Sequence, residues 1–120
     1  MSRLRLPRRA ALLALPALAL RPVGAQPARG EPVRIGELNS YARMAAFAVP
    51  YRNAIQMAQE EVNAAGGVLG GRPLEFLFRD AGATPSDGAR VAEDLLTREN
   101  VAFIAGSFLS NVGLAVADVA

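Results

Sequence analysis

Hydrophobic positions in this chain change period along its length, and each change marks an element. Val33–Leu38 (VRIGEL) alternates apolar with other residues, the two-residue period of a strand. Ala54, Ile55, Ala58, Val62 and Ala65 then recur at helical spacing, while Arg52, Gln56, Gln59, Glu60 and Asn63 fall mostly on the other side. That pattern predicts an amphipathic helix from Pro50 to Ala65. Pro50 suits a first helical turn, where a missing N–H costs nothing, and Gly66-Gly67 supplies the left-handed backbone that ends a helix. Asn39–Ala48 is then a loop. Beyond a Gly70-Gly71-Arg72-Pro73 turn, Leu74–Phe78 reads as a second strand. Thr84 is placed as the N-cap of a second helix, with Asp87 in the capping-box position and Ala92, Leu95 and Leu96 as the buried stripe. Gly88 weakens its first turn, and Asn100 stops it. Val101–Ala105 is short and wholly apolar, the pattern of a strand covered on both faces. Ser110-Asn111 opens a third helix.

Strands alternating with helices imply a parallel sheet with right-handed crossovers. The expected fold class is therefore α/β: an open, doubly wound parallel sheet in three layers (α/β/α). Ligands of such sheets gather beyond the carboxyl ends of the strands. Here those places are Asn39–Ala48, Asp80–Ala83 and Gly106–Asn111.

The start of the chain has a different character. Met1–Arg9 carries four arginines, the apolar stretch Ala10–Leu20 follows, and Val23-Gly24-Ala25 ends in small residues. An apolar run this short falls well below the roughly 20 residues that span a bilayer. Residues 1–25 read as a cleaved secretory signal, residues 26–32 as a linker, and residues 33–120 as the domain. The Arg8-Arg9 pair raises the twin-arginine export route, but Pro7 before it and Ala10-Ala11-Leu12 after it match poorly, so the general secretory route to the periplasm is expected. No stable membrane insertion is expected once the signal is removed.

Setting the signal aside reverses the charge. Five of the 13 basic residues lie in it, which leaves eight basic against 11 acidic residues, a net of −3. No basic stripe remains to track phosphates, so nucleic acid is not an expected partner. Cysteine, histidine and lysine are all absent. That excludes disulfides, thiolate catalysis, Ser–His catalysis, His-based metal sites and a phosphate-loop lysine. An exported α/β enzyme would have to work with Asp, Glu, Ser and Tyr alone, and no pair of these stands at motif spacing. No enzyme activity and no cofactor are expected.

The Gly106–Asn111 loop carries the most chemistry. It joins a strand to a helix start, where free N–H groups and the helix dipole favour an anion such as a ligand carboxylate. The hydroxyls of Ser107 and Ser110 could add hydrogen bonds, or Ser110 could simply cap its helix. The first loop offers Ser40, Tyr41 and Phe47, either as an aromatic wall for a small zwitterion with an apolar side chain or as packing over the sheet edge. Asp80 could face the ligand or hold the next loop, and the second role is the one expected of it.

Taken in order, the Val33-Arg34-Ile35-Gly36 strand, Asn53–Ala58, the Glu61-Val62-Asn63-Ala64-Ala65-Gly66-Gly67-Val68-Leu69-Gly70 stretch, Arg72-Pro73-Leu74, Asp80, Thr84-Pro85, and Gly106 followed by Ser110 resemble the type I periplasmic solute-binding proteins of ABC importers, in the branched-chain amino-acid group. The resemblance implies a two-lobed protein that closes on its ligand by a hinge and docks on an ABC permease. It also implies that this chain is an incomplete first lobe that binds solute poorly by itself. The implied function is capture of a small amino acid or amide-type solute for import. A periplasmic sensing domain is the alternative. The implied ligand-binding positions are Phe47, Ser110, Asn111 and, less directly, Ser107.

Overall fold

The computed structural model describes residues 26–120. The signal reading of residues 1–25 lies outside the described residues. The elements run β1 (Val33–Asn39), α1 (Ala45–Ala64), β2 (Leu74–Asp80), α2 (Pro85–Thr97), β3 (Phe103–Gly106) and α3 (Ser110–Ala117). The three strands form one parallel sheet in the order β2-β1-β3. The expected α/β alternation and parallel pairing are present. β1 is the central strand and is buried along almost its whole length, apart from Arg34.

Side chains alternate across β1, and the two faces differ. Leu38 enters a core with Val91, Ala92 and Leu95 of α2 and Val112 and Val116 of α3. Gly88 lies in the first turn of α2, directly against α3, where an added Cβ would overlap Val112. The sequence treats this glycine as a cost to the helix; the structure shows that it permits the close approach of α2 to α3. The opposite face carries Ile35 and Glu37, beside Phe76 and Phe78 of β2 in register. Helix α1 packs over β2 there.

Several boundaries differ from those expected. Helix α1 begins at Ala45, so Pro50 lies inside it and Phe47 is a helical residue, not a loop residue. Ala45, Ala46 and Ala48 favour helix strongly enough to extend it ahead of the proline, and Pro50 forfeits only one backbone bond near the start. The helix lacks a side-chain cap at Met44. At its other end, Gly66 N–H meets Asn63 O at 3.2 Å and Gly67 N–H meets Val62 O at 2.9 Å, with φ of +110° and +78° at the two glycines. This is the Schellman arrangement that paired glycines allow.

The expected outer face of α1 is also corrected. Asn63 and Gln59 face β2. Asn63 Oδ1 accepts from Leu74 N at 2.7 Å, Asn63 Nδ2 donates to Leu74 O at 2.8 Å, and Gln59 Oε1 accepts from Phe76 N at 2.7 Å. Ala54, Ala58 and Ala65, placed on the buried stripe by their spacing, are exposed. The helix lies beside the border of the sheet, so its inner face must satisfy backbone polar groups as well as bury carbon. β3 is likewise not covered on both faces as expected. It borders the sheet among the described residues, and Phe103 is 51% exposed.

Helix α2 starts as the sequence indicates. Thr84 has extended backbone, and its Oγ1 accepts from Asp87 N at 3.2 Å. Asp87 does not reach back to a backbone N–H of Thr84. Instead Thr84 Oγ1 donates to Asp87 Oδ2 at 2.6 Å.

Candidate functional site

The carboxyl ends of β1 and β3 lie side by side, with Leu38 opposite Gly106. Just beyond them the chain leaves β3 through two residues of left-handed backbone, Gly106 (φ +102°) and Ser107 (φ +75°). Two bonds fix this exit: Ser107 N donates to Leu38 O at 2.8 Å, and Phe108 N donates to Asn39 Oδ1 at 3.1 Å. Asn39 is buried, and its Oδ1 also accepts from Ser40 N at 3.0 Å. One side chain thus ties the loop after β1 to the loop after β3.

Between these loops and the first turns of α1 lies a cleft of about 390 Å³, lined by Asn39, Phe47, Tyr51, Gly106, Ser107 and Phe108. Its wall is mostly apolar. The rings of Phe47 and Phe108 stack across it, with centroids 5.3 Å apart and planes 14° apart. Both rings are more than half exposed, at 60% and 52%, so the pair presents aromatic surface to whatever enters.

Of the four residues expected to bind ligand, the structure brings Phe47 and Ser107 into this cleft. Ser107 Oγ donates to Leu109 O at 3.2 Å. Ser110 and Asn111 are exposed at the start of α3 and do not line the cleft. Leu109, not Ser110, holds the N-cap position, and no side chain caps the helix. The first bond within α3 runs from Gly113 N to Leu109 O at 2.9 Å. The N–H groups of Ser110 and Asn111 therefore precede the helix ladder and point out of its positive end.

Tyr51, Phe108 and Asn39 were not anticipated as site residues. Tyr51 lies one helical turn from Phe47, a spacing visible only once the helix is known to include Phe47. Asp80 takes the supporting role expected of it, accepting from Ala42 N at 2.9 Å and from Gly82 N at 2.8 Å.

Beneath the cleft lies a buried polar group. Glu37 is 0% exposed. Its Oε2 accepts from the Tyr41 hydroxyl, and its Oε1 has no partner. Burial raises the carboxyl above its ordinary value of 4.5, against smaller opposing effects from Tyr41, Asn39 and Arg52. Burial, then the bond to Glu37, raises Tyr41 as well. Tyr51 is raised, first by burial and then by the Glu37 charge. The Arg52 guanidinium lies over the Tyr41 ring, 5.5 Å from its centroid. Among the described residues, no cluster of His, Cys, Asp or Glu is arranged to hold a metal.

Residues 32–120 match the family model of periplasmic binding proteins. The chain belongs to the periplasmic binding protein family. Solved structures agree with this membership. The branched-chain amino acid transporter substrate-binding protein of Streptococcus pneumoniae, in complex with isoleucine, is 26% identical with a TM-score of 0.68 over 74% of this chain and 26% of its own. An ABC transporter substrate-binding protein from Sphaerobacter thermophilus is 31% identical, with a TM-score of 0.58 over 74% and 24%. An ABC transporter solute-binding protein from R. palustris, in complex with benzoate, is 27% identical, with a TM-score of 0.58 over 73% and 24%. The chain thus spans about a quarter of the length of these periplasmic binding proteins. They are solute-binding proteins, not enzymes, and the fold here is an incomplete part of the type I periplasmic binding protein fold.

Proposed function

We propose that this chain supplies one wall of a solute-binding site in the extracytoplasmic component of an ABC importer. The observation that carries the reading is the cleft at the carboxyl ends of β1 and β3, apolar on the α1 side, with α3 and its uncapped start beginning two residues after Phe108 of the cleft wall. An amino acid or amide-type solute fits such a site. Its carboxylate or carbonyl oxygen takes hydrogen bonds from the N–H groups of Ser110 and Asn111 and from the Ser110 hydroxyl, while its apolar body lies against Phe47 and Phe108. Ser107 shapes the turn between them. The stacked aromatic pair also favours a second solute class, the small aromatic carboxylates.

In this reading residues 1–25 export the chain through the general secretory route to the periplasm, and an ABC permease is the partner of the loaded protein. No described helix is long and apolar enough to cross a membrane. One wall cannot enclose a solute, so its affinity is expected in the millimolar range or weaker.

The test is a backbone amide spectrum of the chain titrated with leucine and, separately, with benzoate. Saturable shifts at Ser107, Ser110 and Asn111 are expected with at least one of them, and weakening of those shifts in Ser110→Ala. Unmoved amides at Gly106–Asn111 with both solutes would overturn the reading.

A further inference from the structure

Glu37 is the only ionisable side chain in the buried class among the described residues, and solute capture as outlined above does not use it. Burial outweighs what its surroundings offer a negative charge, namely the Tyr41 hydroxyl, the Asn39 side chain and the charge of Arg52. Oε1 has no hydrogen-bond partner. The cation that acts on it, Arg52, forms no ion pair with it; its guanidinium lies over the Tyr41 ring, and its buried Nε is unpartnered too. Otherwise α1 presents Tyr51, β2 presents Phe78 opposite in register, and β3 presents Ala105. None of these can balance a negative charge. A dry, unpaired carboxylate is costly, and the usual resolution is to keep the proton.

Geometry links this carboxyl to the cleft. Gly106 rests directly on it: a Cβ at Gly106 would lie 2.5 Å from Glu37 Oε1 and would also overlap Leu38 O. Gly106 is at the same time part of the cleft wall. A solute anion in the cleft that lies against Gly106 would therefore have the Glu37 carboxyl directly behind that glycine. Two negative charges so placed, one of them buried, disfavour each other.

We propose that this cleft takes an anionic solute together with a proton held on Glu37, and releases the solute more readily once Glu37 ionises. The inference rests on the anion-binding reading above. The proton comes from solvent and resides on the carboxyl, most simply at the unpartnered Oε1, while Oε2 keeps its bond from Tyr41. Uncharged solutes of the same shape are not coupled in this way. Proton-linked affinity would distinguish acids from their amides at a site whose hydrogen-bond donors serve both.

The carboxyl carbon of Glu37 can be followed by carbon-13 resonance across a pH titration of the chain, free and then with benzoate or benzamide near saturation. With benzoate the midpoint is expected to rise by about one unit, equivalent to about tenfold tighter binding to the protonated form. With benzamide it should stay put. Glu37→Gln, which keeps an acceptor for Tyr41 and removes the charge, should bind benzoate with an affinity independent of pH. If benzoate shifts the Ser107–Asn111 amides while the Glu37 midpoint does not move, the proton coupling is overturned and solute capture stands. If neither benzoate nor leucine moves those amides, the capture reading fails and the coupling falls with it. The midpoint is read on the unaltered chain, so the result does not depend on the folding of the variant.

Discussion

Glu37 couples the stability of the chain to pH. Its carboxyl is raised in the folded state, mainly by burial, so the folded chain holds this proton more tightly than the unfolded one. The stability it contributes is fully present below the ordinary value of 4.5 and is lost as pH rises through the folded-state value. Urea midpoints measured from about pH 4 to about pH 8 should therefore fall with rising pH in the native chain and flatten in Glu37→Gln. A midpoint that rises over that window would show that the carboxylate, not the acid, is the native form. Gly106 is the second residue with an outsized effect. Its φ is +102°, and a side chain there meets Leu38 O and Glu37 Oε1. Gly106→Ala should cost more than about 2 kcal/mol in denaturant titration, since strain and steric overlap act together. The sequence gives notice of Glu37 only faintly: it stands in phase with Val33 and Ile35, on positions that alternation assigns to the interior. An acid in an apolar phase is a local anomaly, but nothing local reveals that Arg52 turns to Tyr41 instead of pairing with it.

At the scale of elements, what was legible had local causes. Thr84 caps α2 because its own hydroxyl reaches a backbone N–H three residues on, and Gly66-Gly67 ends α1 because only glycine adopts two successive left-handed conformations cheaply. Thr84→Ala should lower stability by about 1 kcal/mol, read as a shift in the urea midpoint. Helical spacing does not identify the inner face of α1, because the task of that face is tertiary. Gln59 and Asn63 look like solvent-facing polar residues in a helical pattern, yet they complete backbone bonds of β2 that no strand completes among the described residues. Replacing both with Ala leaves Leu74 and Phe76 N–H without those partners. Each loss should cost about 1 kcal/mol, and hydrogen exchange at these two amides should speed up well ahead of exchange in β1. The start of α1 lies ahead of where a proline opener would put it, because the alanine-rich segment before Pro50 has helix propensity of its own. With Phe47 placed on a loop, its helical neighbour Tyr51 escapes notice, although Phe47 itself is expected at the site.

For the molecule as a whole, the alternation of strands and helices was enough to specify a parallel sheet and the edge of it that carries the cleft. The cleft's composition was not, because Asn39, Tyr51 and Phe108 converge from β1, α1 and the loop after β3. Apolar surface is distributed unevenly. Phe47, Tyr51, Phe103 and Phe108 are all exposed, and Leu114 of α3 is 71% exposed. Exposed aromatic surface of this kind drives association. Sedimentation velocity should show concentration-dependent self-association of the chain, and Phe103→Lys, which puts a charge on β3, should reduce it. An unchanged sedimentation profile in that variant would move the contact away from the sheet.

The contrast between the two borders of this sheet carries a consequence for assembly. The β2 border is sealed by hydrogen bonds from the chain's own helix, at Leu74 and Phe76. No such seal is present on β3 among the described residues. The sheet is therefore polar in its growth: a further strand has one open terminus at which to add, beside Phe103–Gly106, and the opposite terminus is plugged. Such a strand would arrive next to Gly106, so extending the sheet and completing the wall of the cleft would be a single event.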